Sequence, residues 1–183
     1  MPTYTRTASA FQVASKTGGG TSWTNEGNIL ADDAAVATSA ATTQYLVASS
    51  PNVNWLVGPP AGGETATGSP TLADLTITVE TSSVSNGTGT MELYQNGSLV
   101  TTETYTLTSG GSQTQTWSGD DTYWGLTLTD VFSLDAISVQ FKSATSSGIT
   151  CDYIAASFSI SQEYTSGGGG GSRRRAVYVA KMN

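Results

Sequence analysis

No histidine occurs in this 183-residue sequence, and cysteine occurs only once, as Cys151. The absence of histidine removes the commonest general base and the commonest transition-metal ligand. One cysteine cannot form an intrachain disulfide, and a thiolate zinc site would need ligands that the chain lacks. A cysteine nucleophile normally needs a histidine partner. We therefore expect Cys151 to be a small buried residue and the protein not to be an enzyme.

Long hydrophobic runs are also absent, and charged residues make up only 11% of the chain. No apolar stretch approaches the roughly 20 residues that a membrane-spanning helix needs. The N-terminal sequence Met-Pro-Thr-Tyr-Thr-Arg does not lead into the apolar region of a secretory signal peptide. We therefore expect a protein that is made in a cytoplasm, is not exported by the usual signal and does not bind a membrane.

Threonine, serine, glycine and alanine dominate the composition. Threonine favours the pleated, half-buried surface of a sheet, whereas glycine and serine favour turns. The long runs of leucine, glutamate and lysine that a helical protein uses are missing. This composition is typical of an all-β protein.

Apolar and polar residues alternate with a period of two in several short windows, as in half-buried strands. Between two of these windows lies Asn96-Gly97, the strongest short signal for a β-hairpin. The residues that we assign to core packing are Trp23, Ile77, Val79, Trp124, Val139, Phe141 and Phe158.

Many short antiparallel strands, each with one buried face, predict a β-sandwich, most simply a jelly roll. The chain length suits one domain, which we place at residues 21–166. Residues 1–20 are polar and mixed, and they are predicted to form an N-terminal arm. Five consecutive glycines at 167–171 open a C-terminal arm, 167–183, because such a run behaves as a flexible hinge.

The charges are segregated along the chain. Lys142 is the only basic residue between positions 17 and 166, and all fourteen acidic residues lie in that stretch, although the net charge is only −7. A basic arm attached to an acidic body can dock on a neighbouring acidic subunit.

The C-terminal arm carries most of the residues that we predict to contact partners. Its three arginines are too few to make nucleic acid the main ligand, since affinity grows with the number of phosphates neutralised. Its β-prone end could add a strand to the edge of a neighbour's sheet, or the arm could be a solvated tail. The predicted contact residues are Arg173, Arg174, Arg175, Val177, Tyr178 and Val179, together with Trp55 in the body.

The order of six segments across residues 22–164 resembles a jelly-roll domain family of bacteriophage and prophage virion structural proteins. They are Trp-Thr-Asn-Glu-Gly-Asn-Ile-Leu-Ala-Asp-Asp at 23–33, Val-Ala-Thr at 36–38, Tyr-Leu-Val-Ala at 45–48, Leu-Thr-Ile-Thr-Val-Glu at 75–80, Trp-Gly-Leu-Thr-Leu-Thr-Asp at 124–130 and Cys-Asp-Tyr-Ile at 151–154. The sequence departs from the family at 59–69, where a segment is replaced or lengthened. The resemblance implies a fold used in virion parts, in which Trp23 and Trp124 pack in the core.

Two side-chain sets could carry chemistry or binding. Paired carboxylates can hydrolyse glycosides, and clustered carboxylate oxygens can bind calcium, but aspartates in sandwich loops are more often turn formers. We name only Asp120 and Asp121 as weak candidates for a metal and otherwise expect no cofactor. Trp55 and Tyr123 could stack on a sugar or contact a partner.

These observations lead to three hypotheses. The first is a homo-oligomeric capsid decoration, or cement, protein of a bacteriophage virion that binds the major capsid protein and stabilises the shell. The second is a receptor- or glycan-binding module of a head or tail fibre. The third is a connector or other tail-assembly protein.

Overall fold

A computed structural model describes residues 3–6, 11, 13–19, 22–40, 44–49, 65–128, 137–145 and 148–165. Over these residues the chain forms ten strands and two short helical segments, as the composition predicts. The strands are β1 (Thr3–Arg6), β2 (Val13–Thr17), β3 (Ala37–Ser39), β4 (Tyr45–Ser49), β5 (Thr65–Ser83), β6 (Gly87–Gln95), β7 (Ser98–Leu107), β8 (Gly111–Gly119), β9 (Ile137–Thr145) and β10 (Ile149–Thr165). The helical segments are a 3-10 turn, Glu26–Leu30, and α1, Asp121–Trp124.

The strands form two five-stranded antiparallel sheets. Sheet A has the order β1-β10-β5-β8, with β3 also pairing with β10, and sheet B has the order β2-β4-β9-β6-β7. The chain passes repeatedly from one sheet to the other. It leaves sheet A after β5, forms β6 and β7 in sheet B, and returns to sheet A at β8. The chain is therefore a jelly-roll-like β-sandwich, and the predicted fold class is confirmed.

The β6–β7 hairpin forms at the predicted Asn96-Gly97 turn. Gln95 and Ser98 are cross-strand partners, which leaves two residues in the turn. Both have positive φ, 51° at Asn96 and 77° at Gly97, as a tight hairpin turn with the right-handed strand twist requires.

The core lies between the two sheets, where the inward side chains of both meet. Six of the seven residues assigned to it are fully buried, namely Trp23, Ile77, Val79, Trp124, Val139 and Phe141. The seventh, Phe158, pairs with Leu75 through its backbone, and its side chain lies outside the described part of the chain. Cys151 is also buried, and burial strongly raises the pKa of its thiol, which is therefore unreactive.

Both deeply buried indoles have their polar atom satisfied. The Trp23 Nε1 donates to the Gln44 carbonyl oxygen at 2.9 Å, and the Trp124 Nε1 donates to the Leu75 carbonyl oxygen at 2.8 Å. A buried indole N–H without a partner would cost free energy, so these bonds explain how two tryptophans fit in the core.

The prediction of an N-terminal arm over residues 1–20 is wrong for the part that the structure describes. Thr3–Arg6 pairs with β10 in sheet A, Val13–Thr17 pairs with β4 in sheet B, and Phe11 between them is buried. The segment has a polar composition because β1 and β2 are edge strands, which need few apolar residues. Residues 167–183 and Trp55 lie outside the described residues.

Within the described residues, no helix is long and apolar enough to span a membrane.

Candidate functional site

The outer face of sheet B carries the most unusual group of side chains on the described surface. Strand pairing places Tyr45 on β4 beside Lys142 on β9, because their neighbours Leu46 and Phe141 are cross-strand partners that point into the core. On β6, Glu92 and Tyr94 alternate with buried Met91 and Leu93 and thus point outward. We call this surface the tyrosine face and define it by Tyr45, Glu92, Tyr94, Leu99, Gln140 and Lys142.

One carboxylate joins the two tyrosines. The Tyr45 hydroxyl donates to Glu92 Oε1 at 2.5 Å, and the Tyr94 hydroxyl donates to Glu92 Oε2 at 2.8 Å. The cluster therefore crosses three neighbouring strands, β4, β9 and β6. Hydrogen bonds to an ionised acceptor are stronger than neutral ones, so both phenol rings are held in fixed positions.

Lys142 supplies the only positive charge on this face among the described residues. Its Nζ lies 4.5 Å from the centroid of the Tyr45 ring, which is within the range of a cation–π contact. The ammonium thus covers one face of Tyr45 and lies between the strands that carry Tyr45 and Glu92.

The Glu92 contacts change the acidity of both phenols. The hydrogen bond to Glu92 is the main cause that raises the pKa of Tyr94 to about 12, with desolvation second. For Tyr45, desolvation raises the pKa most, the hydrogen bond to Glu92 adds to this, and the nearby Lys142 opposes it. Both phenols are therefore neutral hydrogen-bond donors at physiological pH.

An exposed apolar residue extends the tyrosine face beyond Tyr94. Leu99 on β7 is the cross-strand partner of Tyr94 and thus lies on the same side of the sheet, with 53% of its surface exposed. A β-bulge lies next to this pair, where the register shifts between Leu93 and Tyr94. Bulges increase local twist and redirect side chains, and this one lies at the apolar corner of the face.

The outer face of sheet A is different, because it is a field of small hydroxyl groups. Neighbouring strands are linked by side-chain hydrogen bonds, including Thr78 with Thr116 at 3.3 Å and Glu80 with Ser112 at 2.5 Å. Thr76 bonds to both Ser118 and Asp74. These groups bond mainly to each other.

Three carboxylates converge at one end of this face. Oxygen atoms of Asp32, Glu80 and Asp152 lie within 4.8 Å of one another, and Asp152 occupies a bulge of β10. The Asp152 Oδ1 is buried, and no described residue bonds to it. Desolvation, and then the charges of Glu80, Asp32 and Asp33, raise the pKa of Asp152. These residues could hold a cation, although calcium would need further oxygen ligands.

The weak metal candidates from the sequence are not part of this group. The Asp120 side chain accepts from the Tyr123 backbone N–H at 2.9 Å and thus caps α1. Asp121 is the first residue of that helix. Their proximity in sequence therefore reflects a helix start, and the carboxylates that do converge come from three separate segments.

The aromatic residues outside the tyrosine face take different positions. Trp23, Trp117 and Trp124 are at most 8% exposed, so they cannot form a surface platform. Tyr123 is 49% exposed, with its ring over Gly119 and its hydroxyl 3.4 Å from Glu103. Trp55 and the residues of the C-terminal arm, Arg173, Arg174, Arg175, Val177, Tyr178 and Val179, lie outside the described part of the chain.

Sequence reasoning did not select the tyrosine face as a site. The signal that was present is the alternation of Met91 and Leu93 with Glu92 and Tyr94, which puts a tyrosine outward. The alternation does not predict the order of the strands. That order brings Tyr45 to Glu92 across β9, although 47 positions separate the two residues in the sequence.

No family model matches the chain, and no curated protein matches it at the threshold applied. Among solved structures, one described as "CBM4 structure and function" is similar over 67% of this chain and 70% of its own, with 14% identity and a TM-score of 0.41. Another is the N-terminal CBM22-1–GH10 modules of a Clostridium thermocellum endo-1,4-β-D-xylanase complexed with xylohexaose. It covers 90% of this chain, has 9% identity and a TM-score of 0.42, and this chain spans 28% of its length. Likeness at this level carries no argument about function.

Proposed function

We propose that this protein is a non-catalytic glycan-binding module and that the tyrosine face is its binding surface. The observation that carries the proposal is the Tyr45–Glu92–Tyr94 cluster, in which one carboxylate fixes two phenol rings on an outer sheet face. A binding surface with rigid aromatic groups loses little conformational entropy when a ligand is bound.

The other groups on the face are suited to a sugar. A pyranose has an apolar face of C–H groups and a rim of hydroxyls, so it needs an apolar support with neutral polar groups beside it. Tyr94 and exposed Leu99 supply the support. Gln140 and Thr102 flank Glu92 on the neighbouring strands and supply an amide and a hydroxyl. Clefts that bind small molecules combine apolar surface and a few polar groups in the same way.

Affinity electrophoresis through soluble polysaccharides tests the proposal. Covering roughly 60 Å² of a tyrosine ring contributes about 1.5 kcal/mol, so Tyr94→Ala should weaken binding about tenfold. Tyr153→Ala is the matched control, because Tyr153 pairs with Glu80 and thus lies on the outer face of sheet A. Retained binding in Tyr94→Ala together with loss in Tyr153→Ala would contradict the assignment of the site.

A second candidate function, a virion structural protein that decorates a capsid shell, is favoured by the segregation of charge. All fourteen acidic residues lie between positions 17 and 166, whereas Arg173, Arg174 and Arg175 lie together near the C-terminus. A basic segment on an acidic body suits docking between copies or on another protein. Removal of residues 167–183 should reduce incorporation into particles, and unchanged incorporation would contradict this function.

A further inference from the structure

We infer that the tyrosine face binds an uncharged glycan and discriminates against acidic ones, an inference that rests on the proposed glycan-binding function. Strand register and alternation place Glu92 and Lys142 outward, and they are the only residues with full charges on the face among those that the structure describes.

Both charges on the face already have partners, so an ionised ligand meets no isolated counterion. Each oxygen of the Glu92 carboxylate already accepts a hydrogen bond from a phenol, one from Tyr45 and one from Tyr94. The Lys142 ammonium lies against the Tyr45 ring at 4.5 Å. The two charges are opposite in sign, so the face as a whole is neutral.

A charged group on the ligand would lose hydration here without gaining an unpaired counterion, and that loss is costly. An anionic polymer would also meet the net charge of −7 that the whole protein carries. The face also offers uncharged groups, namely the ring of Tyr94, the side chain of Leu99, and the hydroxyls of Thr90, Thr102 and Thr104 on β6 and β7.

The same geometry gives Glu92 a positioning function. Its carboxylate fixes the orientation of both phenol rings and does not itself need to contact the ligand. This differs from a site in which an acidic side chain accepts sugar hydroxyls directly. The expected consequence is that Glu92→Gln weakens binding less than Tyr94→Ala does, because the glutamine oxygen can still accept one phenol hydrogen bond.

Polysaccharides that share a backbone and differ in charge test the inference with the full chain. Hydroxyethyl cellulose is compared with carboxymethyl cellulose, and methyl-esterified polygalacturonate with polygalacturonate. We expect at least about tenfold weaker binding to the charged member of each pair, because its charge loses hydration on the face without gaining an unpaired counterion. We also expect less than twofold change between about 0.1 M and about 1 M sodium chloride, where the screening length falls from about 10 Å to about 3 Å.

The outcomes distinguish a failure of the preference for neutral ligands from a failure of glycan binding itself. Equal or tighter binding to the charged polymers, lost on adding salt, would overturn the preference for neutral ligands but leave glycan binding in place. Tighter binding that persists in Tyr94→Ala would show that charged polymers bind elsewhere and would also overturn the inference. Failure to bind any polymer of the set, together with neutral xylan, glucomannan and starch, would overturn the proposed function itself.

Discussion

The two outer faces of the sandwich have similar backbones and opposite surface chemistry. On sheet A, threonines and serines bond to one another across the strands, as Thr78 does to Thr116. On sheet B, Tyr45 and Tyr94 share the Glu92 carboxylate, and a lysine covers one of the rings. Both faces are hydrogen-bonded, but on the second one carboxylate holds two aromatic rings.

This difference is the basis of our proposal that one sheet face binds a ligand whereas the other only covers the core. Small hydroxyl side chains that satisfy each other offer little area to cover and few free polar atoms. Tyrosines fixed by a carboxylate keep a large apolar surface in contact with water, which a ligand can remove.

The largest effect is expected beneath the tyrosine face, at Gly89 of β6. A Cβ atom there would lie 2.3 Å from the Tyr105 ring, which packs between the sheets against Trp117 and Phe141. Gly89→Ala should lower the free energy of unfolding by about 1–3 kcal/mol, as overpacking of a core does. Chemical denaturation measures this change.

Gly111 of β8 provides the matched control in sheet A. A Cβ atom at that position meets nothing within 4 Å, and its φ is not in the positive range. Gly111→Ala should therefore change the free energy of unfolding by less than about 0.5 kcal/mol. Equal destabilisation by the two substitutions would show that the close packing of Gly89 against the Tyr105 ring does not limit the stability of the fold.

An intermediate effect concerns the ionisation of the phenols. The pKa of Tyr94 is about 12 in the folded protein, above the ordinary value of 10.0, mainly because of Glu92. Because the pKa of Tyr94 is higher in the folded protein than in the unfolded chain, its neutral phenol stabilises the fold fully below pH 10. This contribution is lost as the pH rises toward 12. In Glu92→Gln, the ultraviolet absorbance of tyrosinate should therefore appear at lower pH.

Tyr105 serves as an internal reference for that titration. Its pKa is also about 12, but the main cause is burial, and its hydroxyl bonds to Thr81 at 2.9 Å. Its ionisation should therefore stay late in Glu92→Gln and in the control Glu80→Gln on the other face. A titration curve that does not change in Glu92→Gln would contradict the shared carboxylate.

Local signals in the sequence were sufficient for the fold class but not for the site. Asn96-Gly97 predicts its hairpin because the turn type depends on those two residues alone. The edge strands at 3–6 and 13–17 were missed because an edge strand with a polar composition resembles an arm. The tyrosine face depends on strand order, which places β9 between β4 and β6, and no short-range pattern encodes that order.

The smallest effects should come from single side-chain hydrogen bonds, and they compare the two faces directly. A double-mutant cycle with Thr78→Val and Thr116→Val replaces a hydroxyl pair 3.3 Å apart by isosteric β-branched residues. Its coupling energy should be about 0.2–0.5 kcal/mol, as for an exposed cross-strand pair. The corresponding cycle with Tyr45→Phe and Glu92→Gln should give about 1 kcal/mol, since one partner is ionised. Equal coupling energies on the two faces would mean that the carboxylate does not fix the ring of Tyr45. The proposed binding surface would then not be rigid.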